Sequence, residues 1–156
     1  NQKIRDRELK KYYLCIVHGT LPRPAGRLEG YILKDEAKKQ VTVSSRPRPG
    51  AKTAVTLYET LAVRNGLSLV RCQLITGRTH QIRAQFAAAG HPLLGDGKYG
   101  SERQNKRYGR SYQALYSYRL EFCFTTDAGA LAPLDGQQFQ VEQVDFVTEY
   151  FPGFSL

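Results

Sequence analysis

Apolar and polar residues alternate along much of this chain, which is the pattern of β-strands that bury one face. The predicted strands are rich in aromatic and β-branched residues and are separated by segments rich in Gly, Pro, Asn and Ser. They cover residues 11–17, 27–34, 40–44, 53–63, 67–74, 112–124 and 139–141. Asn65-Gly66 lies between two of them and predicts a tight hairpin turn. The chain is therefore expected to fold around a mostly antiparallel sheet.

Helical spacing replaces this alternation elsewhere. Apolar residues three and four positions apart predict a helix over residues 79–89, and the chain is expected to close with a helix over residues 142–151. Thr76 or Thr79 is the expected N-cap of the first helix, and Gly90 suits the left-handed position just after its C-terminus. Few helices beside a mostly antiparallel sheet indicate an α+β fold, and 156 residues are enough for one such domain.

The composition is that of an ordinary globular protein, with 41% hydrophobic residues. No apolar stretch approaches the ~20 residues of a membrane span, and the N-terminal residues lack the apolar core of a signal peptide. Cys15, Cys72 and Cys123 lie among apolar residues without a CxxC pair, which favours reduced thiols and a cytoplasmic location.

The charge of the chain is strongly positive and unevenly distributed. The formal net charge is +9 and the isoelectric point is about 9.6. Residues 1–119 contain all 23 Lys and Arg residues and eight acidic ones, which is a formal charge of +15. A basic excess of this size indicates a polyanionic partner, with nucleic acid as the favoured class and a generally basic soluble protein as the alternative.

The strongest candidate for chemistry lies between a predicted strand and the first predicted helix. Its sequence is Thr-Gly-Arg-Thr-His-Gln-Ile-Arg over residues 76–83, followed by Gly-His-Pro-Leu-Leu-Gly-Asp-Gly-Lys-Tyr-Gly over residues 90–100. Cations at such a junction can hold an anion or a buried carboxylate. His80 and Arg83 are three residues apart and share a helix face separate from the apolar one.

These two blocks resemble the signature of the large pseudouridine synthase family, which modifies ribosomal and transfer RNA. Residues 11–19 are similar to the family's tyrosine-bearing strand and residues 113–122 to a late strand, so the resemblance extends from about Lys11 to Phe122. It implies that the chain adopts part of the pseudouridine synthase fold. It also implies an isomerase that needs no cofactor, in which the base of a uridine detaches, turns and reattaches to its sugar through C5.

The resemblance also implies roles for individual side chains. Arg83 matches the arginine that keeps a catalytic aspartate ionised and oriented, and Tyr13 matches the tyrosine that stacks on the flipped uracil. Arg78 and His80 are expected to hold RNA phosphates or to shape the cleft. The polar segment at residues 97–110 is expected to be a mobile loop that contacts the RNA backbone, with a solvated loop as the alternative. Its cations are Lys98, Arg103, Lys106, Arg107 and Arg110.

One element of the family signature does not occur in the chain. The family's catalytic aspartate lies in a His-Arg-Leu-Asp-x-x-Thr-Ser-Gly block upstream of the tyrosine, and no such block is present. Asp6 is too close to Tyr13 and lacks the flanking residues, and Asp96 is expected to cap backbone amides in its Gly-Asp turn. We therefore expect residues 1–156 to be a partial catalytic domain, without the N-terminal part of its core. Alone it should be inactive, and it should have an exposed sheet edge that self-association would cover.

The sequence leaves one rival function open and argues against two others. The rival is a non-catalytic RNA-binding module on the same scaffold. His18, His80 and His91 do not lie at the spacing of a metal site, and no Gly-x-Ser-x-Gly elbow supports a Ser-His-Asp hydrolase. The favoured prediction is a cytoplasmic pseudouridine synthase that acts on structured ribosomal or transfer RNA without a metal or cofactor.

Overall fold

The computed structural model describes residues 9–123 and 129–156, and its strands form one seven-stranded sheet. The strands are β1 (Leu9–His18), β2 (Ala25–Asp35), β3 (Gln40–Ser44), β4 (Lys52–Arg64), β5 (Leu67–Leu74), β6 (Leu115–Phe122) and β7 (Gln138–Gln140). Their order across the sheet is β3-β2-β4-β5-β1-β6-β7, and neighbouring strands are antiparallel. The helices are α1 (Gln81–Ala88), α2 (Glu102–Arg107) and α3 (Asp145–Tyr150), with a 3-10 helix at Gly129–Leu134. The predicted α+β fold with a mostly antiparallel sheet is confirmed.

The hairpin between β4 and β5 positions the strand that leads into the candidate site. Asn65 and Gly66 have φ angles of 54° and 77°, the left-handed conformation that a two-residue turn between twisted strands requires. Arg64 pairs with Leu67 across this turn. The predicted hairpin is therefore confirmed, and β5 carries the chain directly to the junction with α1.

The two faces of the sheet carry two separate cores. Successive residues of a strand point to opposite faces, so β1 contributes to both. Val17 packs with Ile82 and Phe86 of α1 on one face, whereas Ile16 packs with Phe146 of α3 on the other. Both phenylalanines are almost completely buried, and burial of a side chain of this size contributes roughly 1.5–3 kcal/mol. This packing fixes α1 against the sheet.

The N-terminus of α1 differs from the prediction. The helix begins at Gln81, and its N-cap residue is His80, which has a left-handed backbone with φ of 53° and makes no side-chain cap. The predicted threonine caps are wrong: the Thr76 hydroxyl instead donates to Gln81 Oε1 at 2.7 Å. The start of the helix is therefore held by the side chain of Gln81 and not by a threonine cap.

The C-terminus of α1 agrees with the prediction. Gly90 follows the helix with φ of 88°. The N–H of Gly90 donates to the carbonyl of Ala87 at 3.0 Å, and the N–H of His91 donates to the carbonyl of Phe86 at 2.8 Å. These two bonds form a Schellman motif, which satisfies carbonyls that the end of a helix leaves free.

The segment at residues 97–110 is not a loop throughout, because residues 102–107 form α2. Ser101 caps this helix by accepting the N–H of Gln104 at 3.4 Å. The prediction of a mobile loop was wrong for these residues because α2 lacks an apolar stripe. It is held in place by a buried polar side chain, Asn105.

Candidate functional site

Arg83, the arginine expected at the catalytic centre, forms a bidentate ion pair with Asp96. Its Nε donates to Asp96 Oδ2 at 2.8 Å and its Nη2 donates to Oδ1 at 3.0 Å. The Asp96 side chain is fully buried and the Arg83 side chain is 13% exposed, so the pair is largely removed from water. The hydrogen bond to Asp96 and the attraction of its charge raise the pKa of Arg83 against the opposing effect of burial.

Asp96 also organises the turn in which it lies. Its Oδ1 accepts the N–H groups of Lys98 and Tyr99 at 3.0 and 3.1 Å, which confirms the expected amide cap. Burial alone would raise the pKa of Asp96, but the hydrogen bonds from Arg83 and these two amides outweigh it and hold the pKa below its ordinary value of 3.8. A fully buried carboxylate with these donors is a structural anchor that does not reach a substrate.

Sequence reasoning missed the pairing of Arg83 with Asp96 and gave the two residues separate tasks. They are 13 positions apart, and the end of α1 and the Gly-Asp turn bring them together. The pair uses Nε and Nη2 of the guanidinium. Within residues 9–123 and 129–156, Nη1 of Arg83 makes no hydrogen bond, so this nitrogen is available to a second carboxylate.

Tyr99 connects Arg83 to the N-cap of α1. The Arg83 guanidinium lies 5.2 Å from the centre of the Tyr99 ring. Tyr99 Oη accepts the N–H of Val41 at 2.9 Å and lies 2.7 Å from His80 Nδ1. The pKa of His80 is lowered, first by burial and then by the positive charges of Arg83 and Lys98. His80 is therefore neutral at pH 7, and its contacts suit a residue that shapes the cleft better than one that binds phosphate.

Gln81 fastens the junction between β5 and α1 to β4. Its Oε1 accepts the N–H of Arg78 at 3.0 Å as well as the hydroxyl of Thr76. Its Nε2 donates to the carbonyl of Val55 at 2.9 Å and to the hydroxyl of Thr56 at 2.8 Å. All four hydrogen bonds lie in a largely buried region, which makes the junction rigid.

A second glutamine one helical turn later continues this attachment. Gln85 Oε1 accepts the Thr56 hydroxyl at 2.6 Å, and Gln85 Nε2 donates to the carbonyls of Ala54 and Leu28 at 3.2 and 3.3 Å. Sequence reasoning missed both glutamines. The signal was their spacing of four residues on a helix that borders strands rich in threonine.

Tyr13 lies in β1 on the sheet face that carries α1, where it packs at the edge of the core around Phe86. It pairs with Cys72 of β5 and with Ser117 of β6. In the described part of the chain, Tyr13 makes no hydrogen bond to Arg83. The expected contact of Tyr13 with a flipped base stays a prediction.

The five cations of residues 97–110 divide into engaged and free side chains. Three of them contact other groups. Lys98 Nζ donates to the carbonyl of Lys39 at 2.9 Å, the Arg107 guanidinium lies 5.8 Å from the centre of the Tyr108 ring, and the Arg110 guanidinium lies 5.5 Å from the centre of the Phe146 ring. Arg103 and Lys106 are exposed on α2 and make no such contact with the described residues. RNA binding by these five cations stays a prediction, and the surface of α2 offers Arg103 and Lys106 most directly.

Asn105 attaches α2 to the turn that contains Asp96. Its Oδ1 accepts the N–H of Gly95 at 2.8 Å and lies 2.8 Å from His18 Nε2, and its Nδ2 donates to the carbonyl of Asp96 at 3.2 Å. Each polar atom of this buried side chain therefore has a partner. Sequence reasoning missed Asn105 because a single asparagine in a basic segment carries no distinctive local pattern.

His91 Nδ1 lies 2.9 Å from the carbonyl of His18, which is a backbone contact. Among residues 9–123 and 129–156, no three His, Cys, Asp or Glu side chains form a group suited to a metal ion. The same residues contain no helix long and apolar enough to cross a membrane. Asp6 lies outside the described residues.

Known proteins with similar sequences are RNA-modifying enzymes by name. Residues 1–88 match a family model described as RNA pseudouridylate synthase. The chain is 32% identical over 145 residues to the ribosomal large subunit pseudouridine synthase D of Zymomonas mobilis, across 92% of this chain and 42% of that protein. It is 38% identical over 101 residues to human pseudouridylate synthase RPUSD2, across 65% of this chain and 18% of that protein. The chain thus spans less than half the length of these curated relatives.

Two solved human structures have a similar fold. RNA pseudouridylate synthase domain containing 1 superposes with a TM-score of 0.67 at 20% identity, over 95% of this chain and 67% of that one. RNA pseudouridylate synthase domain containing 4 superposes with a TM-score of 0.69 at 23% identity, over 93% of this chain and 62% of that one. At these identities the similarity concerns the fold alone.

Proposed function

The chain belongs to the RNA pseudouridylate synthase family, and from that membership we propose that its protein converts uridine to pseudouridine in structured RNA. The observation that supports this function most directly is the fixed orientation of Arg83, which is held beside a buried carboxylate at the start of α1. A rigid guanidinium with one free nitrogen can keep a second carboxylate ionised in a cleft that excludes water.

The proposed reaction is an isomerisation whose atoms balance without a second reactant. The bond between N1 of uracil and C1′ of the ribose breaks, and a bond between C5 and C1′ forms. The proton lost from C5 is matched by the proton gained at N1. In this proposal a catalytic aspartate attacks the nucleoside, Arg83 keeps that aspartate ionised and oriented, and the ring and hydroxyl of Tyr13 face the flipped base.

Asp96 does not serve as the catalytic aspartate in this scheme, because it is fully buried and its oxygens are occupied by Arg83 and two amides. We propose that the aspartate is supplied by a segment of the protein other than residues 1–156, which would then be a partial catalytic domain and inactive alone. This assignment is tested by assaying the 156-residue chain and the full-length gene product side by side. Comparable turnover by the two would contradict it.

The test of the function uses Arg83→Lys in the full-length gene product. Lysine keeps the positive charge that Asp96 needs but cannot reproduce the bidentate fork, so the second carboxylate loses its orientation. We expect the rate of pseudouridine formation to fall by about 100-fold, the cost of a small misplacement at a reacting centre. RNA affinity should stay within about threefold of wild type, and circular dichroism should show an unchanged fold.

The same experiment separates this enzyme from the rival RNA-binding module. A module without catalysis would form no pseudouridine even as the full-length wild type, and Arg83→Lys would then alter RNA affinity alone. Mass spectrometry of nuclease-digested RNA cannot detect this isomerisation by mass alone, so the assay should count tritium released from [5-³H]uridine in the RNA.

We also propose ribosomal or transfer RNA as the substrate class and the cytoplasm as the location. The support is the name of the Zymomonas relative, which refers to the ribosomal large subunit, and the basic excess of residues 1–119. Mapping of pseudouridine in both RNA classes from cells with and without the gene tests this proposal. If cells without the gene kept every pseudouridine in both RNA classes, the proposal would be contradicted.

A further inference from the structure

A cleft separate from the Arg83 pair opens between the hairpin of β2 and β3 and the junction of β5 and α1. Its volume is about 230 Å³. Ile32 and Val41 line it and are almost completely buried, so its base is apolar. Residues 77–79 of the junction form the opposite wall. The cleft therefore lies on the sheet face that carries α1.

The polar lining of this cleft is cationic. Lys34, Lys52 and Arg78 contribute to it and no acidic residue does. Three other cavities in the described residues differ in this respect, since each includes a glutamate: Glu59, Glu36 and Glu102. Lys34 forms an exposed ion pair with Glu36 at 3.5 Å, and an exposed pair of this kind exchanges readily for another anion. The lining thus suits one anionic group.

Arg78 is held in position before any ligand arrives. Its Nε donates to the carbonyl of Thr53 at 2.8 Å, and its backbone N–H donates to Gln81 Oε1. Its two terminal nitrogens have no hydrogen-bond partner in residues 9–123 and 129–156, so they are free to bind a pair of oxygens. A guanidinium fixed through Nε loses little conformational freedom on binding.

Because Gly77 has no side chain, the main chain of this wall is accessible from the cleft. A Cβ built at this position would meet no heavy atom within 4 Å, so the protein itself does not require glycine here for space. A ligand in the cleft could therefore approach the main chain of Gly77 closely. A side chain added at this position would occupy space beside the ligand without disturbing the fold.

Tyr99 connects the cleft to the candidate catalytic site. Val41, which lines the cleft, donates its N–H to Tyr99 Oη, and the Tyr99 ring packs against the Arg83 guanidinium. The cleft and the Arg83 guanidinium thus share Tyr99 as a common neighbour.

We propose that this cleft binds one backbone phosphate of the RNA strand that carries the target uridine. The identity of the polymer rests on the proposed function. The presence of an anion site is inferred from the cavity, its three cations and the fixed position of Arg78. Arg78 binds the phosphate oxygens through its two free nitrogens, and Lys34 and Lys52 add point charges. The contact fixes the register of the strand and reads no base.

The test measures binding of a fluorescein-labelled RNA stem–loop with uridines in its loop to the 156-residue chain, over a range of salt concentrations. The variant is Lys34→Ala with Lys52→Ala. We expect about tenfold weaker binding and a salt dependence reduced by roughly one ion, because the cleft contacts one phosphate.

The matched control is Arg23→Ala with Arg64→Ala, which removes the same charge. Arg64 ends β4 at the opposite end from Lys52, and Arg23 precedes Pro24, whose carbonyl accepts the N–H of Thr60 near that end. This control should retain affinity within about threefold. Equal losses in the two double variants would mean that overall charge, and not the cleft, binds the RNA.

Gly77→Val tests the site without changing charge. We expect the melting temperature to stay unchanged and RNA binding to weaken about fivefold, with a salt dependence reduced by up to about one ion because the phosphate contact is weakened. Gly77→Ala is the smaller matched change, because its Cβ meets no heavy atom within 4 Å, and it should weaken binding less than Gly77→Val. Wild-type affinity in Gly77→Val and in the lysine variant would overturn the cleft and leave the proposed function standing. Failure of the wild-type chain to bind the RNA would overturn the phosphate site, whereas the proposed function is judged separately by turnover of the full-length protein.

Discussion

The carboxylate of Asp96 is fully removed from water and depends on the groups that donate to it. Four hydrogen bonds reach it, two from Arg83 and one each from the amides of Lys98 and Tyr99. Breaking a buried pair leaves an uncompensated charge, which costs far more than the net contribution of the pair itself. Substitutions of different residues in this site should therefore lower the free energy of unfolding by very different amounts.

Asp96→Ala should lower the free energy of unfolding by about 3 kcal/mol or more, because it strands the Arg83 guanidinium and frees two amides. Asp96→Asn should cost less, since an amide oxygen can still accept the N–H groups of Lys98 and Tyr99. Urea unfolding at pH 7 measures both. Equal stability of wild type and Asp96→Ala would contradict the anchoring role.

The lowered pKa of Asp96 makes this contribution dependent on pH. The folded protein holds the carboxylate ionised to a lower pH than the unfolded chain, whose value is near 3.8. The stabilisation is thus fully present above about pH 5 and is lost as the pH falls through the folded pKa. Asp96→Asn should lack this part of the acid transition.

His80 should produce a second pH dependence at higher pH. Its folded pKa lies below 6.5, so the unfolded chain binds a proton first as the pH falls and stability declines below about pH 6.5. Arg83, Lys98 and Lys34 oppose the proton and Asp96 favours it. His80→Asn keeps a residue that tolerates the left-handed backbone. We expect its stability to change less than that of wild type between about pH 7.5 and 5.5, and an identical pH slope would contradict this assignment.

At the scale of elements, α1 is joined to the sheet as much by amides as by apolar packing. The helix has eight residues, and short isolated helices are marginal in water. Gln81 and Gln85 bond to backbone and hydroxyl groups of β4, while Ile82 and Phe86 fill the core beside them. The polar and apolar contacts alternate along the helix and together fix its rotation.

Gln81→Ala should remove this fixation. It removes the acceptor of the Arg78 N–H and one hydrogen bond each from the carbonyl of Val55 and the hydroxyls of Thr56 and Thr76. We expect a loss of about 2 kcal/mol, or a melting temperature lowered by roughly 6 °C. Gln104→Ala on the exposed surface of α2 is the control and should change stability by less than about 0.5 kcal/mol. Similar losses in the two variants would contradict the role of Gln81.

The elements that sequence reasoning predicted are those whose signal is local. β3 was predicted with its observed bounds, and the Asn65-Gly66 turn follows from the conformations those two residues favour. The start of α1 was wrong because Gln81 reaches across to β4, and α2 was missed because Asn105 anchors it through distant partners. Long-range polar contacts leave no periodic trace in a sequence, and the Arg83–Asp96 pair was missed for the same reason.

At the scale of the whole molecule, the edges of the sheet differ in how well they are protected. β3 and β7 are the edge strands within the described residues. β7 has three residues, whereas β3 has five and follows Lys38 and Lys39. Short strands and flanking lysines discourage pairing between sheet edges. Self-association through an edge stays a prediction, and the β3 edge is the longer of the two.

Light scattering after size exclusion tests this prediction. Pairing through β3 gives a dimer at high protein concentration, and Val43→Pro, which places a residue without an N–H in that edge strand, should restore the monomer. A monomer at all concentrations would contradict the prediction of self-association. The position-matched control is Phe139→Pro in β7, which should leave a β3-mediated dimer intact.

Asn105 links α2 to the turn that holds Arg83. Its side-chain amide forms hydrogen bonds with the main chain of Gly95 and Asp96. The outer surface of α2 carries Arg103 and Lys106. The main chain and this side chain together join α2 to the turn, so a displacement of α2 would be transmitted to Asp96 and Arg83. Under the proposed function, RNA bound to Arg103 and Lys106 would therefore also influence the position of Arg83.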